Sequence, residues 1–513
     1  MIGATVTRRA RPCPAGAARG RMRACDSPGV SPLPSRLTYA PRAARLSAWC
    51  YALVWAATLA DQLLRLPLAG DVGGMAMLLF LLLEFRNQRR YAQVLFCALV
   101  GAGMLGVVQS AHAIPLFLAS WRRGAAYGAF FLALTTLRDA AETSPLVRRC
   151  GAHLVAQPPG RRYAALTGGG HLFGIILSYG AIELLAAMVM RANTLESAGG
   201  SAPVRALRTR RMLMAIYRGF CVMNCWSPLN LMTAVVSTAV PAAPMRLLLP
   251  LAFVVSLGMT ALGWVEDRIS ASRRATRGGG TRPVSGETWT IHLRIVALVG
   301  LVMVLAELGS ALLGVSLVTG VTLIVPLVAV GWLLVQLRRF AVTGRAGNAL
   351  RLAGLLRRRA ERFLWRVPHF RSEATVLAGS GFMGVAIGGA LPATGIAPLL
   401  AHLPAIAVPL LVPAILIATG QIGLNPVAVV ALLGAAIPHP AALGVPSAAL
   451  AFACMLGWGL AVNMTPMSAS AITTARWAKV SPWTVSTAWN AAYTLSALLL
   501  AWVAIALLFL AWR

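Results

Sequence analysis

Apolar runs of about twenty residues recur along the whole chain, and they constrain its fold more than any other feature. They fall near 47–68, 73–85, 91–111, 113–137, 164–190, 212–242, 246–265, 289–313 and 316–336, and again from 375 to 511. In hydrocarbon every backbone N–H and C=O must be paired within the protein, so a spanning segment is a helix or part of a closed barrel. A barrel would show alternating segments of roughly ten residues, and these runs are continuous. The expected fold is an all-α polytopic membrane protein with about 11–13 transmembrane helices. Composition agrees: 58% of the 513 residues are apolar and 12% charged, where soluble domains are about a quarter charged.

The chain carries 46 basic and 14 acidic residues, a formal charge of +32. In a soluble protein that excess would point to nucleic acid. Here the arginines cluster between apolar runs, at the N-terminal tail, Arg86–Arg90, Arg138–Arg162, Arg268–Arg282 and Arg338–Arg371. That is the pattern of orienting loop charges. The expected partner is membrane lipid and not nucleic acid, in a cytoplasmic (inner) membrane with the N-terminus inside. Residues 1–46 read as a basic, disordered cytoplasmic tail. The eight cysteines show no metal spacing, and no cofactor or metal is expected. Cys221 and Cys225 read as packing residues. No HExxH, paired-Asp or phosphate-loop motif is present, which argues against an embedded enzyme or an ATP-driven pump; an orphan membrane protein or a lipid-acting enzyme is the alternative to a transporter.

Two stretches break the apolar pattern in similar chemistry, NCWSPLNLMTAVV at 224–236 and NMTPMSASAITTA at 463–475. Pro228 matches Pro466, Ser227 matches Thr465 and Asn230 matches Ser468, at an offset of 238. A proline removes a donor and clashes with the preceding turn. A break of this kind frees carbonyls and exposes half-helix N-termini that suit an anion. The hydroxyls and amide of Ser227, Asn230, Thr465, Ser468 and Ser470, with the freed carbonyls, suit a cation. Each break follows a glycine-rich segment, 168–182 and 379–395, and each of those follows a basic amphipathic stretch, 146–156 and 346–366. Basic residues flank 164–190 on both sides, which a re-entrant hairpin satisfies and a single crossing does not. The chain therefore reads as two repeats, each with a re-entrant hairpin and a proline-broken helix. Interrupted segments at corresponding places in two halves point to a secondary transporter, and the two breaks are expected to hold one substrate between them.

This order resembles the ion transporter superfamily, the group of divalent anion–sodium symporters, citrate carriers, arsenite permeases and large permease subunits. The resemblance spans roughly 140–475. It implies a secondary active transporter of a small anion or organic acid, a transport domain that slides as an elevator, and a homodimeric scaffold. It also implies Na+ or H+ as coupling ion, although the Ser-Asn-Thr triplet of the sodium–carboxylate branch is absent. Carried onto this chain, the hairpin residues are Ser178, Tyr179 and Thr394. The breaks are Trp226–Thr233 and Asn463–Ser470, with Trp226, Thr233 and Asn463 joining the residues above.

The implied division is a tail at 1–46, scaffold helices at 47–140, a transport core at 141–266 and a basic loop at 267–288. Scaffold helices at 289–345, a surface helix and second core at 346–477 and a C-terminal helix at 478–513 complete it. Three carboxylates fall within apolar runs, where charge is costly. Glu183 closes the first hairpin and is the candidate for a coupling proton. Asp61 and Glu307 lie in scaffold helices near Arg65 and Arg294. His171 reads as a neutral, hydrogen-bonded imidazole, and Asn425 as a helix cap.

Overall fold

The computed structural model describes residues 41–272, 286–338, 345–389 and 402–512. Among these the chain is helical throughout, with no strand, and it is an all-α polytopic membrane protein. The first part comprises α1 (Pro41–Leu64), α2 (Pro67–Glu84), α3 (Arg90–Gln109), α4 (Ala113–Glu142), α5 (Pro145–Val155), α6 (Pro159–Leu177), α7 (Gly180–Ala192), α8 (Ala202–Met223), α9 (Leu231–Ala239) and α10 (Met245–Ser272). The second comprises α11 (Thr290–Leu313), α12 (Leu317–Arg338), α13 (Arg345–Arg366), α14 (Arg371–Ala386), α15 (Ala407–Gln421), α16 (Pro426–Ala436), α17 (Ser447–Met464), α18 (Ala469–Ala478) and α19 (Ala491–Ala511). Pro67, Pro145, Pro159 and Pro426 open α2, α5, α6 and α16, where the N–H they lack has no helical partner to lose.

Among the described residues seven segments are long and apolar enough to cross a membrane, one of them formed by α17 and α18 together. Several helices are shorter. Helices α7, α9, α16 and α18 have 13, 9, 11 and 10 residues, or about 14–20 Å at 1.5 Å per residue. They are too short to traverse hydrocarbon alone and are the arms and half-helices of the interrupted elements.

The contacts of these short elements reveal an internal two-fold pattern. Arm α6 packs along α8 as α15 packs along α17; α18 packs on α7 as α9 packs on α16; and α8 meets α17 at the centre. Leu177 and Gln421 end the first arms, Met223 and Met464 end the long halves, and Asn230 and Ser468 cap the short halves, so the offset stays between 238 and 244 residues. The counterpart of the first hairpin, α6–α7, is therefore α15–α16.

This corrects the placement of the second hairpin at Gly379–Gly395. Residues 371–386 form the single helix α14, which packs against α3 and α4. Its glycines serve a close crossing: a Cβ on Gly381 would lie 2.9 Å from the Cα of Gly124 in α4. Small residues in membrane helices mark close approach as readily as a turn, and the glycine count alone did not separate the two. Residues Ile387–Gly389 form a short 3-10 turn, and 390–395, including Thr394, lie outside the described residues. The new placement also removes a conflict of charge. The arginines at 338–371 precede α14, while 372–475 holds no Lys or Arg. The α6–α7 pair thus has basic flanks and the α15–α16 pair has none, as two inversely oriented copies require.

The basic stretches at 146–156 and 346–366 are helices, α5 and α13. Helix α5 is not merely superficial, since Val147, Cys150 and Leu154 are buried among α6, α7 and α11.

Candidate substrate site at the helix breaks

Each break is closed by its own side chains. At the first, α8 ends at Met223, and Asn224 Nδ2 donates to the carbonyls of Phe220 (2.8 Å) and Cys221 (3.3 Å) that the missing turn leaves open. Asn230 caps α9: its Oδ1 accepts from the N–H of Met232 at 2.9 Å and its Nδ2 donates to Asn224 Oδ1 at 2.7 Å. Thr233 Oγ1 donates to the Ser227 carbonyl at 2.9 Å. Trp226 Nε1 donates to His171 Nε2 at 2.7 Å, which requires that nitrogen to be unprotonated and holds the imidazole neutral. That bond joins the break to α6 of its own hairpin.

The second break is built on the same plan. Ser468 caps α18, its Oγ accepting from the N–H of Ala471 at 3.1 Å and donating to the Thr465 carbonyl at 2.9 Å. Ser470 Oγ donates to Ser468 Oγ at 3.1 Å, and Thr465 Oγ1 to the Ala461 carbonyl at 2.6 Å. The matching of Asn230 to Ser468 is thus a matching of N-caps. Two carbonyls at the edge of this break are taken by the protein. Tyr217 Oη donates to Asn463 O at 2.8 Å, Asn490 Nδ2 to Asn463 O at 3.1 Å, and Gln421 Nε2 to Met464 O at 2.6 Å. Asn463 Nδ2 donates to Thr494 Oγ1 at 2.9 Å. Gln421 ends α15, so this break too is joined to the arm of its own hairpin.

Two polar atoms stand out because they are not consumed in this way. Ser227 Oγ and Asn463 Oδ1 are buried with no hydrogen-bond partner, and their residues are 0% and 1% exposed. A buried polar atom left unpaired costs about 1–3 kcal/mol. One lies in the first break and the other at the edge of the second.

Tyr217 meets Asn463, and Cys225 Sγ lies 3.7 Å from the Leu456 carbonyl, so α8 and α17 run antiparallel. Their ends at Met223 and Met464 are offset by about seven residues of helix, or roughly 10 Å. Beyond those ends the chain breaks at Pro228 and Pro466, in two half-sites related by the internal two-fold. Because Asn230 and Ser468 cap helices, replacing either with alanine should cost about 1 kcal/mol of stability. That loss should appear as a lowered thermal midpoint of the purified protein, and an unchanged midpoint in both variants would refute the capping role.

The hairpin residues face elsewhere. Ser178 turns the tip at φ 52°, a strained region for a residue with a Cβ. Tyr179 lies under the Arg138 guanidinium at 4.4 Å, with its Oη 3.5 Å from Glu373 Oε1 of α14. Glu183 pairs with Arg476 and accepts from Trp477 Nε1 at 2.8 Å, tying the first hairpin to the second broken helix. Glu307 pairs with Arg246 at 2.7 Å. Asp61 lies beside Arg122, which itself forks onto Asp71 at 2.6 and 2.9 Å. The sequence neighbours Arg294 and Arg65 are not their partners. Asn425 Oδ1 caps α16 through the N–H of Val427 at 2.9 Å. A cavity of about 480 Å³ opens at the first break, lined by Trp226, Pro228, Leu229 and Phe253, with the Arg246–Glu307 pair beside it.

Sequence reading missed the polar centre between the half-sites. Arg218, 6% exposed, donates through Nε to Asn490 Oδ1 at 2.8 Å and through NH1 to Tyr163 Oη at 3.2 Å, and it pairs with Glu266 at 3.0 Å. An arginine inside the apolar run 212–242 was the available signal.

No family model and no curated protein matches the chain. Among solved structures, one titled "Crystal structure of the Alcanivorax borkumensis YdaH transporter reveals an unusual topology" is 18% identical, covers 81% of this chain and 96% of its own, and superposes with a TM-score of 0.49. At that level of likeness no activity follows.

Proposed function

We propose that the protein is a secondary active transporter of a small anion or organic acid. The observation that carries this reading is the pair of broken helices, α8–α9 and α17–α18, each joined at its break to the arm of a hairpin and related by an internal two-fold. Irregular backbone of this kind in a membrane protein is tolerated where it is buried in protein or lines a cavity, and such repeats place substrate beside half-helix N-termini. Ser227 Oγ and Asn463 Oδ1 are the atoms we assign to substrate or ion. In this reading the hairpins and broken helices move as an elevator against a scaffold that pairs as a homodimer, in the manner of the ion transporter superfamily. The basic ends of α5 and α13 lie in the cytoplasm. Na+ or H+ supplies the coupling, and Glu183 is the carboxyl assigned to a proton, because its protonation would release the link to Arg476 and Trp477.

The test is uptake by proteoliposomes, using radiolabelled monocarboxylates, dicarboxylates and citrate under an imposed pH or Na+ gradient. Uptake of at least one class above that of empty vesicles is expected, and it should collapse when the gradient is removed. Ser227→Ala and Asn463→Ala should each weaken it several-fold, as loss of one hydrogen bond does. Glu183→Gln should retain exchange but not uphill accumulation. No uptake of any class, or uptake indifferent to both gradients, would sink the reading.

A further inference from the structure

The two basic amphipathic helices, distant in sequence, come together in space. Helix α5 brings Arg148 and Arg149, α13 brings Arg359 and Arg362, and Arg294 comes from the start of α11; between them and the end of α12 lies a cavity of about 420 Å³. Its apolar wall is Leu146, Trp332, Leu333 and Leu355, and no carboxylate lines it. Guanidiniums gathered around one cavity repel one another to the extent that carboxylates or an entering anion do not offset them.

Not all of them are spent on other partners. Arg149 pairs with Glu287 at 2.6 Å and Arg359 with Asp139 at 2.8 Å. Arg148 donates to the Thr143 carbonyl at 3.4 Å and Arg362 to the Arg358 carbonyl at 3.2 Å, neither of them a charge partner. Among the described residues no salt bridge joins a carboxylate to Arg148, Arg294 or Arg362; Glu287, which pairs with Arg149, also feels the charge of Arg294 from farther off. The N-terminus of the 11-residue α5 opens into the same space through Ser144, Pro145 and Leu146, and the Ser144 side chain does not cap it. Its free N–H groups and partial positive charge add to the attraction.

The apolar wall decides what kind of anion fits. Trp332 and Leu333 belong to α12, which with α11 is among the segments able to cross a membrane. The cavity sits where α12 nears its end at Arg338 and α11 begins at Thr290, the level at which headgroups meet acyl chains. We propose that this cavity binds an anionic phospholipid, its phosphate held by Arg148, Arg294 and Arg362 and its first acyl carbons lying on Trp332 and Leu333. Basic pockets between helix ends bind such headgroups, and forked guanidiniums suit phosphate oxygens. A lipid seated here clamps α5, which leads into the first hairpin, to α12 and α13. The assignment does not depend on what the protein transports.

The experiment is thermal unfolding of the purified, delipidated full chain in neutral detergent, titrated with phosphatidylglycerol, phosphatidylcholine or inorganic phosphate. Phosphatidylglycerol should raise the midpoint saturably, because a ligand for the folded state stabilises it; phosphatidylcholine should not, and inorganic phosphate at the same concentration should have little effect. The triple variant Arg148→Ala, Arg294→Ala, Arg362→Ala should lose the response with little change in its lipid-free midpoint, since none of the three carries an ion pair. If it does not fold, Arg294→Gln alone should weaken the response roughly tenfold in lipid concentration, as loss of one charge-assisted contact does. An equal rise with phosphatidylcholine, an equal rise with inorganic phosphate alone, or a full response in the folded variants would each overturn the proposal.

Discussion

Replacing Arg218 with alanine is expected to destabilise the protein by roughly 1–3 kcal/mol, the usual cost of leaving a buried polar partner unsatisfied, because the ion-pair partner Glu266 is about a third exposed and keeps its water. The guanidinium joins four elements. It donates to Asn490 ahead of α19 and to Tyr163 of α6, pairs with Glu266 of α10, and lies 4.4 Å from the ring of Tyr493. Without it Asn490, which is fully buried, and Glu266 lose their cation together. Asn490 also donates to the Asn463 carbonyl, so the second break should loosen as well. The measurement is the thermal midpoint in detergent, which should fall sharply for Arg218→Ala. Arg218→Lys should fall less, because an ammonium keeps the charge but cannot fork between the Asn490 and Tyr163 oxygens. A midpoint unchanged in Arg218→Ala would show that the network contributes nothing net.

That arginine also shows why part of the site was hidden in the sequence. Arg218 follows Arg205, Arg208, Arg210 and Arg211, so it reads as the tail of a basic flank, although α8 is buried from Met212 onward. The breaks were legible because proline and capping residues act locally: Pro228 and Pro466 end helices by their own chemistry, and Asn230 and Ser468 start them. The fold class was legible for a similar reason, since hydrocarbon demands a long apolar helix whatever it packs against. The second hairpin was not. Arms α15 and α16 look like ordinary apolar segments, and what marks them is their packing against α17 and α9, which no local pattern records. Two traces of it were present. Within the two glycine segments Gly174 and Gly384 match at an offset of 210 while the breaks match at 238, and the arginines preceding the two segments put inverted copies on one side. Both discrepancies vanish when α15–α16 takes the place of 379–395.

The three consecutive glycines 168–170 should respond to alanine in opposite directions, and the spread is the second large effect expected. Helix α6 crosses α8 where Gly170 and Gly219 face each other's helix. A Cβ on Gly170 would fall inside van der Waals contact of the Ile216 carbonyl oxygen, and one on Gly219 would do the same at the Thr167 carbonyl oxygen. Both obstacles are backbone, so neither can swing aside, and the helices would have to separate along a crossing lined by Leu166, Phe173, Leu213 and Phe220. Overpacking of a tight core costs typically about 1–3 kcal/mol and sometimes more, so Gly170→Ala and Gly219→Ala should each lower the midpoint strongly, and Gly219→Val should prevent folding. At Gly169 the Cβ would overlap the end of the buried Leu154 side chain and touch Leu185; a side chain can shift where backbone cannot, so the loss should be smaller than at Gly170. At Gly168 nothing lies within 4 Å, and alanine is better than glycine in a helix by about 1 kcal/mol; that variant should melt at or above the parent. Equal effects at all three positions would mean that α6 does not lie on α8 in this register. The hairpin would then not stand beside the first break, since the His171–Trp226 bond lies one residue beyond Gly170 and depends on the same crossing.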